Sequence, residues 1–399
     1  MASNYKFVLY LLMFNMFITM GGLGIIVPVM PSYLETFHAG GKVYGLLIAT
    51  FSLAQFILSP IIGNFSDQYG RKRFIVLGLV IYGISMLLFG IADVLWLLFV
   101  SRLLSGIGAA FVLPTILAFV SDITTIEERG KGMSLIGAAI SLGFTIGPGI
   151  GGGLSGINLS FPFYFAGTLA LATAVISYFV LPNVQSPERV TLSRPRENLI
   201  KQLITSVKVP YFIFLIVVFT FSFGIANYQS TMALYLDDKF HYTPLLISII
   251  FTIGGLSGVI LQLFLMNKLL KHFGEWKVIL VNLLVAAITM ILLIYVNKYF
   301  MILTVACLNT IAATLIRPAV NTAISKMAGD EQGFAAGINN AYMSLGNMAG
   351  PICAGLLYDW HMESPYIVGT VVLLCCFVLA FYWFMKKTTI HVVVETSKI

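Results

Sequence analysis

The chain has 399 residues, 59% of them apolar and only 10% charged, with a mean hydropathy of +0.95 and a formal net charge of +7. A water-soluble globule carries about 25% charged residues, so a soluble fold is excluded. Apolar runs of about 20 residues, the length that crosses a bilayer as a helix, recur from end to end.

In chain order the runs span 7–32, 43–64, 74–92, 95–119, 132–154, 161–181, 210–234, 244–266, 277–296, 299–323, 334–357 and 365–385, which predicts twelve transmembrane helices. A transmembrane barrel would need ten-residue strands of alternating polarity, and these runs are too long and too continuously apolar. The first run has one preceding charge nearby, Lys6, and no small-residue cleavage site, so it is expected to stay as a helix rather than leave as a signal peptide. Cys307, Cys353, Cys375 and Cys376 all fall in apolar runs and read as small buried hydrophobes. No metal motif and no phosphate-binding Walker loop occurs, so no cofactor and no ATP-driven pumping are expected.

With the N-terminus inside, 18 of the 23 Lys and Arg fall in cytoplasmic segments and three, Lys42, Lys239 and Lys298, in outer ones. This bias places both termini in the cytoplasm of a multi-pass cell-membrane protein. The positive net charge then reflects topology and attraction to anionic lipid, with no nucleic-acid partner required. The other two cations, Arg102 in span four and Arg317 in span ten, lie within apolar runs. An intramembrane cation is costly unless it faces a cavity or a partner, so both are candidate functional residues.

The one long polar connection, 183–209, divides the chain into a first bundle at 1–182 and a second at 210–399. The halves repeat. Glu128, Gly130, Gly147, Pro148 and Pro162 recur as Glu331, Gly333, Gly350, Pro351 and Pro365, all at an offset of 203. Two parallel six-helix copies imply a pseudo-two-fold axis along the membrane normal, with a substrate cavity between the halves.

The glycine-rich stretch "GFTIGPGIGGG", 143–153, contains the spacing of a dinucleotide loop at Gly147, Gly149 and Gly152. Such a loop needs a preceding strand, whereas these glycines continue an apolar span. The second half keeps Gly143, Gly147, Pro148 and Gly152 as Gly346, Gly350, Pro351 and Gly355 but replaces Gly149 with Ile352. The stretch therefore reads as a close-packing seam with a helix-bending proline, a hinge for the two halves at Gly143, Gly147, Pro148, Gly152, Gly350 and Pro351.

"GNFSDQYGRKR", Gly63 to Arg73, joins spans two and three. Gly63 and Gly70 would permit a tight turn, Asp67 offers a carboxylate to arginines or helix N-termini, and the basic run meets anionic lipid. This loop resembles the signature loop of the major facilitator superfamily. "LFVSRLLSGIGAAF" from Leu98, "GFTIGPGIGG" and "GLGIIVPVMP" from Gly22 resemble that superfamily's span-four, span-five and span-one motifs in the twelve-helix drug:proton antiporters. From about residue 5 to about 385 the chain looks most like Gram-positive multidrug and quinolone exporters of the NorA and Bmr type.

The resemblance implies an all-α fold of two pseudo-symmetric six-helix bundles and secondary export by alternating access. It also implies a conformational latch at Asp67, Arg71 and Arg73, a proton-linked Arg102, and a cavity lined by Gln55, Arg102, Phe144, Arg317 and Asn347. The second-half loop from Asn267 keeps Gly274 but lacks the aspartate, so a full latch is expected in the first half only. Register puts Gln229 and Thr314 where such exporters keep acids in spans seven and ten, and all 16 acids can be assigned outside the deep membrane. Coupling would then fall to Glu35 or Asp122, with Arg102 assisting. Alternatively the electropositive cavity takes anionic or zwitterionic substrates, or the protein runs without protons. A specific carrier for a metabolite, sugar or lipid precursor on the same fold is the competing reading. A membrane enzyme or sensor is disfavoured because all five histidines lie in loops or tails. The expected partners are a small molecule, protons and lipid, acting on a monomer.

Overall fold

The computed structural model describes residues 2–183, 199–329 and 332–396. Most of the expected linker, and Asp330 and Glu331 of the repeat, lie outside the described residues. The described helices are α1 (Ala2–Glu35), α2 (Gly41–Tyr69), α3 (Arg71–Gly90), α4 (Leu95–Ile123), α5 (Ile126–Ser155), α6 (Phe161–Val180), α7 (Leu199–Ser206), α8 (Phe212–Phe240), α9 (Pro244–Tyr295), α10 (Tyr299–Ala328), α11 (Gln332–Trp360) and α12 (Ser364–Thr396). In hydrocarbon no water can satisfy a free backbone group, so long apolar runs close their hydrogen bonds within the segment.

Eleven candidate membrane spans are long and apolar enough by themselves, two of them within α9. The twelfth expected pass is α11, as long as its neighbours at 29 residues but diluted by Asn339, Asn340 and Asn347. Two expected loops are shorter than the sequence reading allowed. Between α2 and α3 only Gly70 is non-helical, at φ 95°, and α9 runs through the expected loop at 267–276 with a single break at Gly274, φ 75°. Both sit in the positive-φ region that glycine alone enters cheaply, so one residue turns the chain. Gly63, expected to share the first turn, lies inside α2, since that helix continues to Tyr69.

The described residues fall into two compact units, one holding residues up to 183 with Met232–Thr252, the other 199–231 with 253–396. The end of α8 and the start of α9 thus group with the first unit.

Within the first unit, small residues let backbones approach closely, as membrane helix packing requires. A Cβ added at Gly143 would lie 2.6 Å from the Phe17 carbonyl oxygen, and one at Gly147 2.5 Å from that of Gly21, so α5 lies directly on α1. The second unit repeats this seam. Cβ atoms at Gly346 and Gly350 would lie 2.6 and 2.7 Å from the carbonyls of Phe219 and Phe223 on α8. Leu12, Met16, Leu79, Val112, Ile116 and Phe119 form the apolar core between α1, α3 and α4. Polar links cross it: Asn15 donates to Ser177 Oγ at 2.8 Å, and Ser101 donates to the Ser85 carbonyl at 2.7 Å.

Candidate substrate pathway and ion-pair sites

The intramembrane arginine Arg102 stands two turns into α4 and is only 4% exposed. Its guanidinium carbon lies 4.4 Å from the centre of the Phe89 ring, a cation–π stack. The Tyr44 and Tyr82 side chains are close enough to feel its charge. Nε and Nη2 have no hydrogen-bond partner among the described residues, and neither has the Tyr82 hydroxyl. One turn along α4, a Cβ at Gly106 would lie 2.8 Å from Ala54, the chain neighbour of the half-buried Gln55 on α2. Phe144 on α5 is 47% exposed. The sequence reading places Arg102 in the cavity lining; in the structure its guanidinium stacks on Phe89 with Nε and Nη2 unsatisfied.

Gln229, Thr314, Arg317 and Asn347 belong to the second unit. Gln229 and Arg317 are exposed and Asn347 half-buried. Thr314 donates to the Thr310 carbonyl at 2.7 Å, and its oxygen would lie 2.7 Å from a Cβ at Gly258, so it fills a tight contact between α9 and α10. Every described acidic residue lies in a loop or within one turn of a helix end or of the Gly274 break.

The loop after α2 builds an ion-pair site centred on Arg71, which is 6% exposed. Arg71 Nε donates to Asp122 Oδ2 at 3.0 Å, and Nη1 donates to Ser66 Oγ at 2.7 Å and pairs with Asp67. Asp122, a coupling candidate from sequence, is thus committed to this pair. Arg73, a predicted latch member, is exposed. The second half, expected to lack a full latch for want of the aspartate, has an ion pair of its own at the matching turn: Lys326 at the end of α10 pairs with Glu275, directly after Gly274. Sequence reading missed this pair because it looked for an aspartate.

At the opposite end, Glu35 closes α1, and Asp237 of α8 is near enough for their charges to interact, with Asp238 and His241 beside them. Asp237 is one of the 16 acids assigned outside the deep membrane and carries no motif that singles it out in the sequence. The hinge candidates divide by contact: Gly143 and Gly147 meet α1, Pro148 meets Gly24, Gly350 meets α8, and a Cβ at Gly152 would lie 2.6 Å from the Pro244 carbonyl at the start of α9. Pro351 is buried within α11.

A family model described as the Major Facilitator Superfamily matches residues 12–235 and 214–396. The chain belongs to the major facilitator superfamily. Among relatives, the Multidrug resistance protein 2 of Bacillus subtilis is 38% identical, covering 96% of this chain and 97% of its own length. Multidrug resistance protein 1 of the same organism is 40% identical over 94% and 96%. The Quinolone resistance protein NorA of Staphylococcus aureus is 35% identical over 90% and 91%. Of solved structures, the nucleoside transporter NupG aligns with a TM-score of 0.80 at 14% identity, covering 95% of this chain and 99% of that one. A bacterial homolog of the human lysosomal transporter Spinster gives 0.79 at 16%, covering 94% and 96%. As a member of this superfamily the protein is a multi-pass membrane transporter of small molecules.

Proposed function

We propose that the protein is a secondary active exporter of small amphipathic compounds, working by alternating access of two bundles, 1–182 and 210–399, joined by the linker 183–209, as a monomer with both termini in the cytoplasm. The observation that carries this reading is the repeated helix seam. Gly143 and Gly147 of α5, seated against α1, are matched by Gly346 and Gly350 of α11, seated against α8, which gives each half a stiff body of its own. The 35–40% identity to multidrug and quinolone resistance proteins supports drugs as cargo. Gln55, Arg102, Phe144, Gln229, Arg317 and Asn347 are the residues assigned to the substrate path, with Thr314 as a packing residue beside it.

Proton counter-transport is part of the proposal, and Glu35 with Asp237 is its preferred site. Asp122 is occupied by Arg71, whereas carboxylates near one another favour shared protonation. Substrate-induced proton movement in reconstituted vesicles tests this. Glu35→Gln should abolish it while Asp122→Asn leaves the proton-to-substrate ratio unchanged, and full coupling in Glu35→Gln would refute the assignment.

A second reading, selectivity for anionic or zwitterionic substrates with or without protons, is favoured by the unsatisfied guanidinium of Arg102 and by Arg317, with every described acid at a helix end or in a loop. A cation in the apolar layer attracts a carboxylate from its cargo. A panel of cationic, neutral and anionic compounds tests it, and fast efflux of ethidium at rates above all anions would overturn it.

A further inference from the structure

The pairs Arg71–Asp122 and Glu275–Lys326 have the same sequence separation, 51 residues. A shift of 204 residues, the shift that carries the positive-φ Gly70 onto the positive-φ Gly274, carries one pair onto the other. It also carries Asp67 onto Lys271, an exposed residue one turn before Glu275. The triad acid–base–acid of the first half thus becomes base–acid–base in the second, with every sign inverted.

The inversion has a physical sense. A helix favours anions at its start and cations at its end. Arg71 opens α3 and Asp122 lies in the last turn of α4, so the first pair opposes both helix dipoles. It is held by burial of Arg71 and by added ligands, Asp67 and Ser66. Glu275 opens the arm of α9 that follows Gly274 and Lys326 lies in the last turn of α10, so the second pair agrees with both dipoles. The dipoles thus support this pair, where they oppose the first. The member drawn inward is also inverted: the Arg71 side chain is 7% exposed against 17% for Glu275, whereas Lys326 is 66% exposed.

We propose that Lys271, Glu275 and Lys326 form a second, sign-inverted clamp, with Glu275 and Lys326 as positioning residues. The pair holds the end of α10, the helix that carries Arg317, against the helix that starts after Gly274, and Lys271 biases Glu275 from one turn away. The placement stands on its own, and its role in the transport cycle rests on the function proposed above.

The test uses the full-length protein in lipid nanodiscs, with hydrogen–deuterium exchange read on peptides covering 275–280 and 321–328. Glu275→Gln and Lys326→Gln should each raise exchange there by about 1.4- to 5-fold, the span carried by a partly exposed pair, with α8 unchanged. Glu275→Lys, which places three cations together, should raise it further. The triple variant Lys271→Asp, Glu275→Arg, Lys326→Asp transplants the first-half triad and should return exchange toward the parent level. Equal exchange in Glu275→Lys and Glu275→Gln, or no recovery in the triple variant, would overturn the clamp.

Vesicle efflux of ethidium and of a zwitterionic fluoroquinolone should follow the same order in turnover with half-saturation unchanged. If the parent protein moves neither compound, the transport reading fails, and the exchange data still judge the clamp.

Discussion

Replacing Gly147 with Ala isolates the seam between α1 and α5. The new Cβ would lie 2.5 Å from the Gly21 carbonyl oxygen and 3.0 Å from the Gly24 Cα, both backbone atoms that cannot rotate aside. Ordinary contact at about 3.4 Å or more requires the helices to separate by roughly 1 Å along a seam whose neighbouring contacts, at Gly143 and Gly151, are equally close. Overpacking of this kind costs about 1–3 kcal/mol, which corresponds to roughly 2–12 °C in the melting temperature of a body of 150–250 residues. The control is Gly153→Ala on the same helix, where a Cβ meets nothing within 4 Å and the better helix propensity of Ala is the main change. Thermal unfolding of the purified protein, with efflux from vesicles as a second readout, should show a clear loss for Gly147→Ala and none for Gly153→Ala. Equal melting temperatures and equal efflux in the two variants would refute close backbone packing as the purpose of the glycines, and Gly147→Leu should abolish transport while membrane insertion persists.

Gly70→Ala and Gly274→Ala meet no steric neighbour, so any cost is conformational strain at φ 95° and 75°, about 1–3 kcal/mol each, visible as a lower melting temperature without a clash. Gln229→Glu, at an exposed position, should shift efflux preference toward lipophilic cations in a competition assay, whereas Thr314→Asp should instead lower stability because that side chain is wedged against Gly258. Tyr342→Phe removes one of two partners of the fully buried Ser206 hydroxyl, which also donates to the Leu203 carbonyl, and so breaks the 2.9 Å bond that ties α7 to α11. The loss should be about 1 kcal/mol, read as faster proteolysis of the segment preceding α8.

The helical passes were legible because the bilayer leaves the backbone no alternative: an apolar run of sufficient length must satisfy its own amides. Where the sequence reading placed a loop, at 267–276, it was misled by Lys268, Lys271, His272 and Glu275, which look like solvated loop residues. At a membrane boundary such residues sit equally well on a helix, and one glycine with positive φ suffices to turn it. Polarity thus located the edge of the membrane there and said little about the backbone.

Arg102 was legible as a residue needing explanation, because a cation in an apolar run is costly wherever the helix points. Its surroundings were not legible, since Tyr44, Tyr82 and Phe89 come from α2 and α3 and carry no motif that ties them to it. The Glu275–Lys326 pair was hidden for a different reason. Motif comparison asks for the same letters at the same places, and here the letters change sign: Asp67, Arg71 and Asp122 correspond by position to Lys271, Glu275 and Lys326, and the Arg71–Asp122 pair has its counterpart in Glu275–Lys326. What distinguishes the two halves is the helix dipole, which does not invert. Arg71 is 7% exposed and tied to Asp67, Ser66 and Asp122, whereas Glu275 is 17% exposed and its partner Lys326 66% exposed, so charge reversal at Arg71 should damage the protein more than charge reversal at Glu275.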